Sequence, residues 1–380
     1  MTEGMSVTPS ARGWDVTLNV DGQDVSGLAV VDKKTRVGKA HLKMAGVAGV
    51  WTDEAHRKKG YASRVMWASV DEMVRRRYDV SILFGIEDFY HRYGYAACAA
   101  NSVCQVETEA LPRSSSGFRV RAARSGDLPR IVSVYAKTNV DRSVSAVRSR
   151  FWQPVHGNRP GWRMPRMGAG VVRRPGKAIV GEDEKGRVIG YVSYDAQDGH
   201  CMVTEVGATD RSVYPALAHR VRRLASGVGA DRVRFCLPVD DPFGQYLGRF
   251  GCGWSVHFPE NSGSMGKLVS ISSTFQKLIQ TLAERLGESS SVMPQSGLTF
   301  VIDEEAVTLL RKKSGLVLTD VLSKSVVRID QMPMIQLLCG YRSVEDLMIT
   351  DEIQVAKAVV PVVNALFPRS NPYVWWGDRF

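Results

Sequence analysis

The chain has 380 residues, of which 44% are hydrophobic, and this length and composition suit two or three globular domains. No run is apolar and long enough to span a bilayer, and the polar stretch 1–12 does not resemble a signal peptide, so we expect a cytoplasmic protein without a membrane partner. The net charge of +11 suits an anionic ligand, but the basic residues are spread along the chain, which argues against nucleic acid. Six scattered cysteines favour free thiols, and no metal site is expected.

The N-terminal third begins with a predicted meander of strands. Alternating apolar residues and turn residues indicate the strands, and polarity indicates a disordered start. The predicted elements are a disordered tail over 1–13, strands over 14–20 and 25–31 joined by a turn at Asp21-Gly22, a further turn at Lys33-Lys34, and a long strand over 38–52.

That long strand leads into a basic loop of the form Arg-x-x-Gly-x-Ala, followed by an amphipathic helix from Tyr61 to about Arg77. The first N–H groups of a helix lack partners, and together with the helix dipole they favour an anion. Arg57, Lys58 and Lys59 add positive charge, while Gly60 permits close approach. The loop therefore predicts a phosphate or pyrophosphate site, although a solvated basic turn would have the same composition.

A short apolar strand over 80–84 comes next, and the segment from Phe89 to Tyr95 reads Phe-Tyr-His-Arg-Tyr-Gly-Tyr. Here the chain resembles the GNAT acetyltransferases, which bind acetyl-CoA at an Arg/Gln-x-x-Gly-x-Gly/Ala loop and carry a Phe-Tyr-x-x-x-Gly-Tyr signature after the next strand. The resemblance implies acetyl-CoA as acyl donor, bound by Val50, Trp51, Thr52, Arg57, Lys58, Lys59, Gly60, Tyr61, Ala62, Ser63, Gly85 and Ile86.

One feature departs from that family. A GNAT domain usually opens with a strand and two helices that wall the acceptor site, and no such helices are evident before Tyr61. We therefore expect the acceptor site either to be open or to be covered by another part of the chain or by another subunit.

The middle of the chain repeats the order of the first unit. Residues 95–111 are predicted to complete the first sheet, with Val103, Gln105, Val106 and Thr108 in its final strand, and 112–117 reads as a linker. Beyond it a new unit begins at 118–121, and a helix is predicted to start at 125–129, with Ser125 as candidate cap, and to run towards Lys137. We further predict strands over 178–181, 188–194, 202–206 and 233–237, helices over 210–226 and 242–250, and an irregular excursion over 152–174. This order resembles a second GNAT fold, but Asp210-Arg211-Ser212-Val213-Tyr214 replaces the basic loop, so we expect a structural unit that does not hold CoA in the usual way.

The pattern changes again from about Lys267. Periodicity predicts helices over 274–286, 332–339, 343–347 and 353–366, strands over 298–302, 315–322 and 325–329, and a turn over 303–306. This arrangement resembles a sterol carrier protein fold, which in isolation would suggest lipid transport.

Together these units resemble the Eis-type (enhanced intracellular survival) acetyltransferases over nearly the whole chain. The fold class is α/β, with two tandem GNAT folds over 1–111 and 117–265, followed by a sterol-carrier-like domain over 267–380. The resemblance implies a hexamer, and it implies that the last residue, Phe380, reaches the site of the first domain through the aromatic-rich ending.

The implied reaction is direct attack of a primary amine on acetyl-CoA, with Tyr90 as general acid and the terminal carboxylate of Phe380 as general base. Acceptors would be an aminoglycoside-like polycation, a polyamine or a lysine side chain. Tyr90 could instead be a core aromatic, and a terminus is often frayed. His91, Glu87 and Asp88 are the other candidate bases, and a non-catalytic CoA- or lipid-binding assembly protein is the alternative function.

Overall fold

The computed structural model describes residues 2–114, 117–149 and 177–380, which form three β-sheets and eight α-helices. The strands are β1 Glu3–Ser10, β2 Gly13–Val20, β3 Gln23–Val37, β4 Ala40–Thr52, β5 Val80–Gly85, β6 Ala96–Ala99, β7 Asn101–Glu107, β8 Arg119–Ala122, β9 Lys177–Glu182, β10 Val188–Gln197, β11 His200–Ala208, β12 Arg232–Phe235, β13 Cys252–His257, β14 Gly263–Leu268, β15 Leu298–Ile302, β16 Glu305–Lys312, β17 Gly315–Thr319, β18 Val326–Ile329 and β19 Ile353–Gln354. The helices are α1 Tyr61–Arg75, α2 Leu128–Thr138, α3 Tyr214–Gly227, α4 Pro242–Leu247, α5 Ile271–Glu288, α6 Gln331–Cys339, α7 Val344–Ile349 and α8 Val360–Leu366.

The first sheet has the order β1-β2-β3-β4-β5-β14-β6. Its parallel pair is β4 and β5, which α1 connects. The alternation along β2 buries Trp14 and Leu18, and α1 buries Val65 and Met66 in the same cluster. One face of the sheet is therefore covered by α1, as the periodicities of 2 and 3.6 residues predict.

The other face of this sheet is covered by the C-terminal part of the chain. Phe275 and Leu278 of α5 belong to the same buried cluster as Met44 on β4 and Ile82 on β5. Within residues 2–60 no α-helix precedes α1, as the sequence predicted. A later segment of the same chain thus covers this face of the sheet.

The first two sheets exchange strands, which corrects one prediction. The strand containing Val103 and Val106 was expected to complete the first sheet, but β7 pairs with β12 and β13 in the second sheet. In return, β14 enters the first sheet between β5 and β6. Alternation identifies a strand but carries no information about which sheet it joins, so this crossover could not be read locally.

The second sheet has the order β13-β7-β12-β11-β10-β9-β8, and the third has the order β17-β16-β15-β18-β19. Most elements predicted between 118 and 347 form within a few residues of their expected bounds. The mixture of sheets and helices confirms the α/β class. The three-domain division stays a prediction.

Four local predictions were wrong. The expected tail over 1–13 contains β1, an exposed polar strand paired along its length with β2. Lys33-Lys34 lies inside β3, and the turn comes at Gly38, whose φ is +55°. The charged strand β16 begins inside the expected turn over 303–306, and 353–366 splits into β19 and α8. In each case pairing with a neighbouring strand outweighed local composition.

Some predictions concern residues outside the described ranges, namely the excursion over 152–174 and part of the linker over 112–117. In the described ranges, no helix combines the length and apolarity needed to cross a bilayer. All six cysteines are described and are free thiols.

Candidate functional site

The first feature of the site is a gap between two parallel strands. The pairing of β4 with β5 ends at Val47 and Leu83, although β4 continues to Thr52 beside β3 and β5 continues to Gly85 beside β14. A bulge in β4 accompanies the divergence, with Gly49 at a φ of +57°. Beyond it, the facing backbone edges can hydrogen bond a ligand instead of each other.

The predicted donor-binding residues line this gap. Val50, Trp51 and Thr52 form the end of β4 beyond the bulge. On the opposite side Gly85 ends β5 and Ile86 follows it. The structure thus places the two sets on the two diverging strands.

The basic loop lies at the start of α1, also as predicted. Gly60 is the N-cap residue with a φ of +78°, and no side chain caps the first turn of the helix. Arg57, Lys58 and Lys59 are exposed, and a β-carbon at Gly60 would meet open space. The N–H groups of the first turn of α1, the basic side chains and the open space at Gly60 together suit a phosphate group.

Tyr90 follows β5 in one turn of 3-10 helix, Tyr90–Tyr93. Its ring lies over Gly85, since a β-carbon there would come within 2.8 Å of a ring atom. Phe89 packs edge-on against it, with 4.8 Å between ring centroids. Burial raises the pKa of Tyr90 to about 12, so its phenol stays protonated at physiological pH.

The chain terminus reaches the same strands. Phe380 is only 7% exposed, and its ring packs on Phe84 of β5 with 5.4 Å between centroids. On β4 the ring lies over Gly46, where a β-carbon would come within 2.7 Å of it. The ring of Phe380 therefore packs against one face of the sheet, over β4 and β5 just before they diverge, and a glycine at position 46 leaves room for it.

Comparison with known proteins decides what kind of domain holds this arrangement. A family model described as "Acetyltransferase (GNAT) domain" matches residues 11–98, the stretch that contains the gap, the loop and Tyr90. The chain carries a GNAT acetyltransferase domain. A search of curated proteins finds no match to the sequence.

Solved structures share the fold over nearly the whole chain. A probable N-acyltransferase of unknown function from Enterococcus faecalis V583 is 16% identical with a TM-score of 0.77, covering 97% of this chain and 89% of that one. A GCN5-related N-acetyltransferase from Kribbella flavida is 17% identical with a TM-score of 0.69, covering 96% and 87%. Eis1 from Mycobacterium abscessus is 14% identical with a TM-score of 0.66, covering 98% and 92%. At these identities the likeness concerns the fold, and it is compatible with two tandem GNAT folds.

Tyr90 and Phe380 approach the gap of the GNAT domain from opposite faces of its sheet. Leu83 and Phe84 are consecutive on β5, so their side chains point to opposite faces. Tyr90 belongs to the cluster of Leu83, under α1, whereas Phe380 packs on Phe84 among the residues of α5. A group held between β4 and β5 would therefore have Tyr90 on one side of the sheet and Phe380 on the other.

The other candidate bases are placed less favourably. Glu87 is exposed, and Asp88 forms a reciprocal pair with Asn261, accepting from its Nδ2 at 2.8 Å. The Nδ1 atom of His91 is buried with no hydrogen-bond partner among the described residues.

A buried charge network holds the segment that ends at Phe380. The Asp378 carboxylate accepts hydrogen bonds from Arg148 Nε at 2.9 Å and Nη2 at 2.8 Å, and from the Tyr135 hydroxyl at 3.0 Å. On its other side, Arg148 donates to Glu205 from Nη1 at 2.7 Å and Nη2 at 2.5 Å. Tyr191 also donates to Glu205, at 2.6 Å. One arginine thus joins the C-terminal segment to β11 of the second sheet.

The first sheet contributes a second cation to the same segment. Lys33 on β3 donates from Nζ to the Asp378 carbonyl oxygen at 2.6 Å and lies 5.2 Å from the centroid of the Phe380 ring. Burial lowers the pKa of Lys33 to about 8, and the nearby Asp378 carboxylate opposes that shift. Sequence reasoning missed Lys33, Asp378, Arg148 and Glu205, since no local motif marks them.

In the second sheet the parallel strands β11 and β12 also diverge, but an aspartate lies at the following helix start in place of the basic loop. Parallel pairing of β11 with β12 ends at Val203 and Phe235, and a cavity of about 670 Å³ opens between the elements that follow. At the entry to α3, however, the Asp210 carboxylate accepts from the Ser212 N–H at 2.9 Å. A carboxylate thus occupies the position that a phosphate would need, which favours the prediction of a structural role.

Proposed function

We propose that the chain is an acetyl-CoA-dependent N-acetyltransferase that transfers an acyl group to a primary amine of an aminoglycoside-like polycation, a polyamine or a lysine side chain. The observation that carries the proposal is the burial of the terminal residue Phe380 at the β4–β5 divergence of a GNAT domain. The last residues of a domain are usually poorly ordered unless contacts hold them, and Phe380 is held by Phe84 and Gly46 beside the gap.

The acyl donor would be bound by the chain's own backbone and loop. The edges of β4 at Val50 to Thr52 and of β5 at Gly85 and Ile86 face the gap and can hydrogen bond the pantetheine amides. The exposed basic residues and the first turn of α1, at 57–63, would hold the pyrophosphate. These residues fit acetyl-CoA because its pyrophosphate would meet the basic loop. Its neutral pantetheine arm would meet the backbone N–H and C=O groups of the diverging strands.

In the proposed reaction the amine nitrogen forms a bond to the thioester carbonyl carbon, and the bond from that carbon to sulfur breaks. A β4 N–H beyond the bulge would stabilise the developing oxyanion. The terminal carboxylate of Phe380 would accept the proton from the amine. An exposed terminal carboxyl titrates at about 3.5, so the base role requires the burial that its side chain has.

Tyr90 would interact with the sulfur of CoA as the carbon–sulfur bond breaks. An ordinary thiol titrates at about 8.5, well below the value of about 12 to which burial raises the pKa of Tyr90. Complete proton transfer from Tyr90 would thus run uphill in the ligand-free site. Donation of a hydrogen bond to the sulfur as its charge develops is therefore the role we assign to this phenol.

The test of the proposal is release of CoA thiol from acetyl-CoA in the presence of a panel of polycations, polyamines and lysine peptides. Amine-dependent release is expected with at least one acceptor. If CoA binds and no amine promotes release, the chain is instead a CoA-binding assembly protein.

We extend the proposal to the assembly and the C-terminal unit. The five-stranded third sheet and its helices support a sterol-carrier-like fold, which here covers the GNAT domain. The resemblance to Eis-type enzymes supports a cytoplasmic hexamer, and light scattering of a monomer at micromolar concentration would contradict the hexamer.

A further inference from the structure

The C-terminal segment is fixed at two points that lie two residues apart. At one end the ring of Phe380 packs over Gly46 and on Phe84. At the other end Asp378, whose side chain is fully enclosed, accepts the paired hydrogen bonds of Arg148. Two residues span at most about 7 Å, so the position of Asp378 limits where the terminal carboxylate can lie.

The described contacts of Asp378 and Arg148 join two cations and two carboxylates. Arg148 and Lys33 supply two positive charges, and Asp378 and Glu205 supply two negative ones. The Arg148 guanidinium contacts both carboxylates, with Nη2 donating to each, so its position depends on Glu205 of β11 in the second sheet. Lys33 adds a bond from the first sheet to the Asp378 carbonyl. Buried charges that are paired and hydrogen bonded in this way hold a defined geometry.

We propose that Asp378 is a positioning residue for acyl transfer, which Arg148 and Lys33 hold from the two sheets so that the Phe380 carboxylate faces the amine. The inference rests on the proposed function, because it assigns a purpose to the carboxylate of Phe380. A shift of about 1 Å in a reacting group can cost about 100-fold in rate. The cluster therefore acts on turnover and not on donor binding, which takes place at the loop over 57–63.

Two variants and two matched controls test the role. Lys33→Met removes an ammonium that donates to a carbonyl and lies over a ring. Lys43→Met does the same elsewhere on the sheet, where Lys43 donates to the Arg76 carbonyl at 2.7 Å and lies 4.3 Å from the Tyr78 ring centroid. We expect Lys33→Met to lower kcat by about 10- to 100-fold with the KM for acetyl-CoA unchanged, and Lys43→Met to leave both unchanged.

Asp378→Asn keeps the shape of the side chain and weakens its pairing with Arg148. Its control is Asp127→Asn, since Asp127 also accepts from two nitrogens of one arginine, Arg121, at 2.6 and 2.9 Å, at the far end of α2. Both variants lose a paired carboxylate, so a general loss of stability would affect both. Only Asp378→Asn should lower kcat, and thermal unfolding of all four variants shows whether they are folded at the assay temperature.

The decisive measurement combines Lys33→Met with a glycine extension after Phe380, which removes the free carboxylate from its position. If Lys33 acts through that carboxylate, Lys33→Met lowers kcat in the native chain and has no further effect in the extended chain. Equal losses in both chains would overturn the positioning role while leaving Phe380 as the base. No loss from the extension alone would overturn the base itself, and the two failures are thus distinguishable.

Discussion

The ring of Phe380 lies directly over Gly46, so close that a β-carbon on Gly46 would come within 2.7 Å of it. Gly46→Ala should therefore displace the terminal residue from its position on the sheet beside the gap. Since a displacement of about 1 Å can cost about 100-fold in rate, we expect kcat to fall by about that factor with CoA affinity retained. Gly253→Ala, in a strand where the new β-carbon meets no atom within 4 Å, should leave the rate unchanged. Full activity in Gly46→Ala would contradict the placement of Phe380.

The free carboxylate of Phe380 is the basis of a second prediction. Adding two glycines after Phe380 converts that carboxylate into a neutral amide within a buried place. Steady-state kinetics should show turnover reduced by about 100-fold or more, the usual scale for loss of a general base. The same two glycines added before Met1 should have no effect. If both chains acetylate amines at the same rate, the base lies elsewhere.

Tyr90→Phe should keep CoA binding and lose rate, on the order of 100-fold, because only a hydrogen-bond donor is removed. Burial raises the pKa of Tyr90 to about 12, so deprotonation of this phenol should cause no fall in the native rate below about pH 11. Tyr95→Phe is the matched control, since Tyr95 is a buried phenol of the same segment whose hydroxyl contacts Ser81 at 2.7 Å. A pH–rate profile of both variants tests the assignment, and equal losses would indicate a packing role.

Gly60→Asp should weaken CoA binding by about ten-fold or more, because it places a negative charge where the pyrophosphate is proposed to lie. Gly22→Asp provides a matched control. Gly22 has a φ of +86° against +78° for Gly60, and a β-carbon at either position would meet no atom within 4 Å. Backbone strain is thus similar in the two variants. Calorimetry with unchanged affinity in Gly60→Asp would rule out this loop as the phosphate site.

A fifth prediction concerns stability. Burial raises the pKa of Asp241 to about 6, and hydrogen bonds from the Phe243 and Gly244 N–H groups oppose the shift. Between about pH 4 and 6 the folded state therefore binds more protons than the unfolded state, and this group lowers stability as pH rises.

An asparagine at position 241 would still accept the hydrogen bonds at the start of α4, but it would carry no charge. We expect Asp241→Asn to raise the unfolding free energy at pH 7.5 by roughly 1–3 kcal/mol, with no gain at pH 4. Denaturant titrations at both pH values measure this, and a loss of stability at pH 7.5 would show that the charged carboxylate is needed.

Local signals in the sequence were sufficient to locate the loop and strands that we propose bind the donor. The basic loop before α1 and the aromatic segment at Tyr90 are each continuous in the chain, and their positions follow from one strand–helix–strand unit. The alternating residues of β2 and the amphipathic face of α1 likewise predicted which side chains are buried.

The C-terminal side of the site required the structure. Arg148 and Asp378 are 230 positions apart, and Lys33 and Asp378 are 345 apart. Contacts over such separations follow from how the sheets pack, and neither residue type nor spacing predicts them. The same limit explains the missed edge strand β1, whose exposed polar residues look like a tail until β2 is present to pair with it.

The exchange of β7 and β14 has a consequence for the order in which the protein can be made. The sheet that carries the gap has β14 between β5 and β6, so on the ribosome it stays incomplete until Leu268 has been synthesised. A fragment that ends before Gly263 leaves both β5 and β6 with an unpaired edge, which is a template for aggregation. The family model matches one continuous stretch, residues 11–98, but the sheet that this stretch forms also needs β14 from much later in the chain. Because each of the first two sheets contains a strand from the other's stretch of chain, we expect the two sheets to fold together.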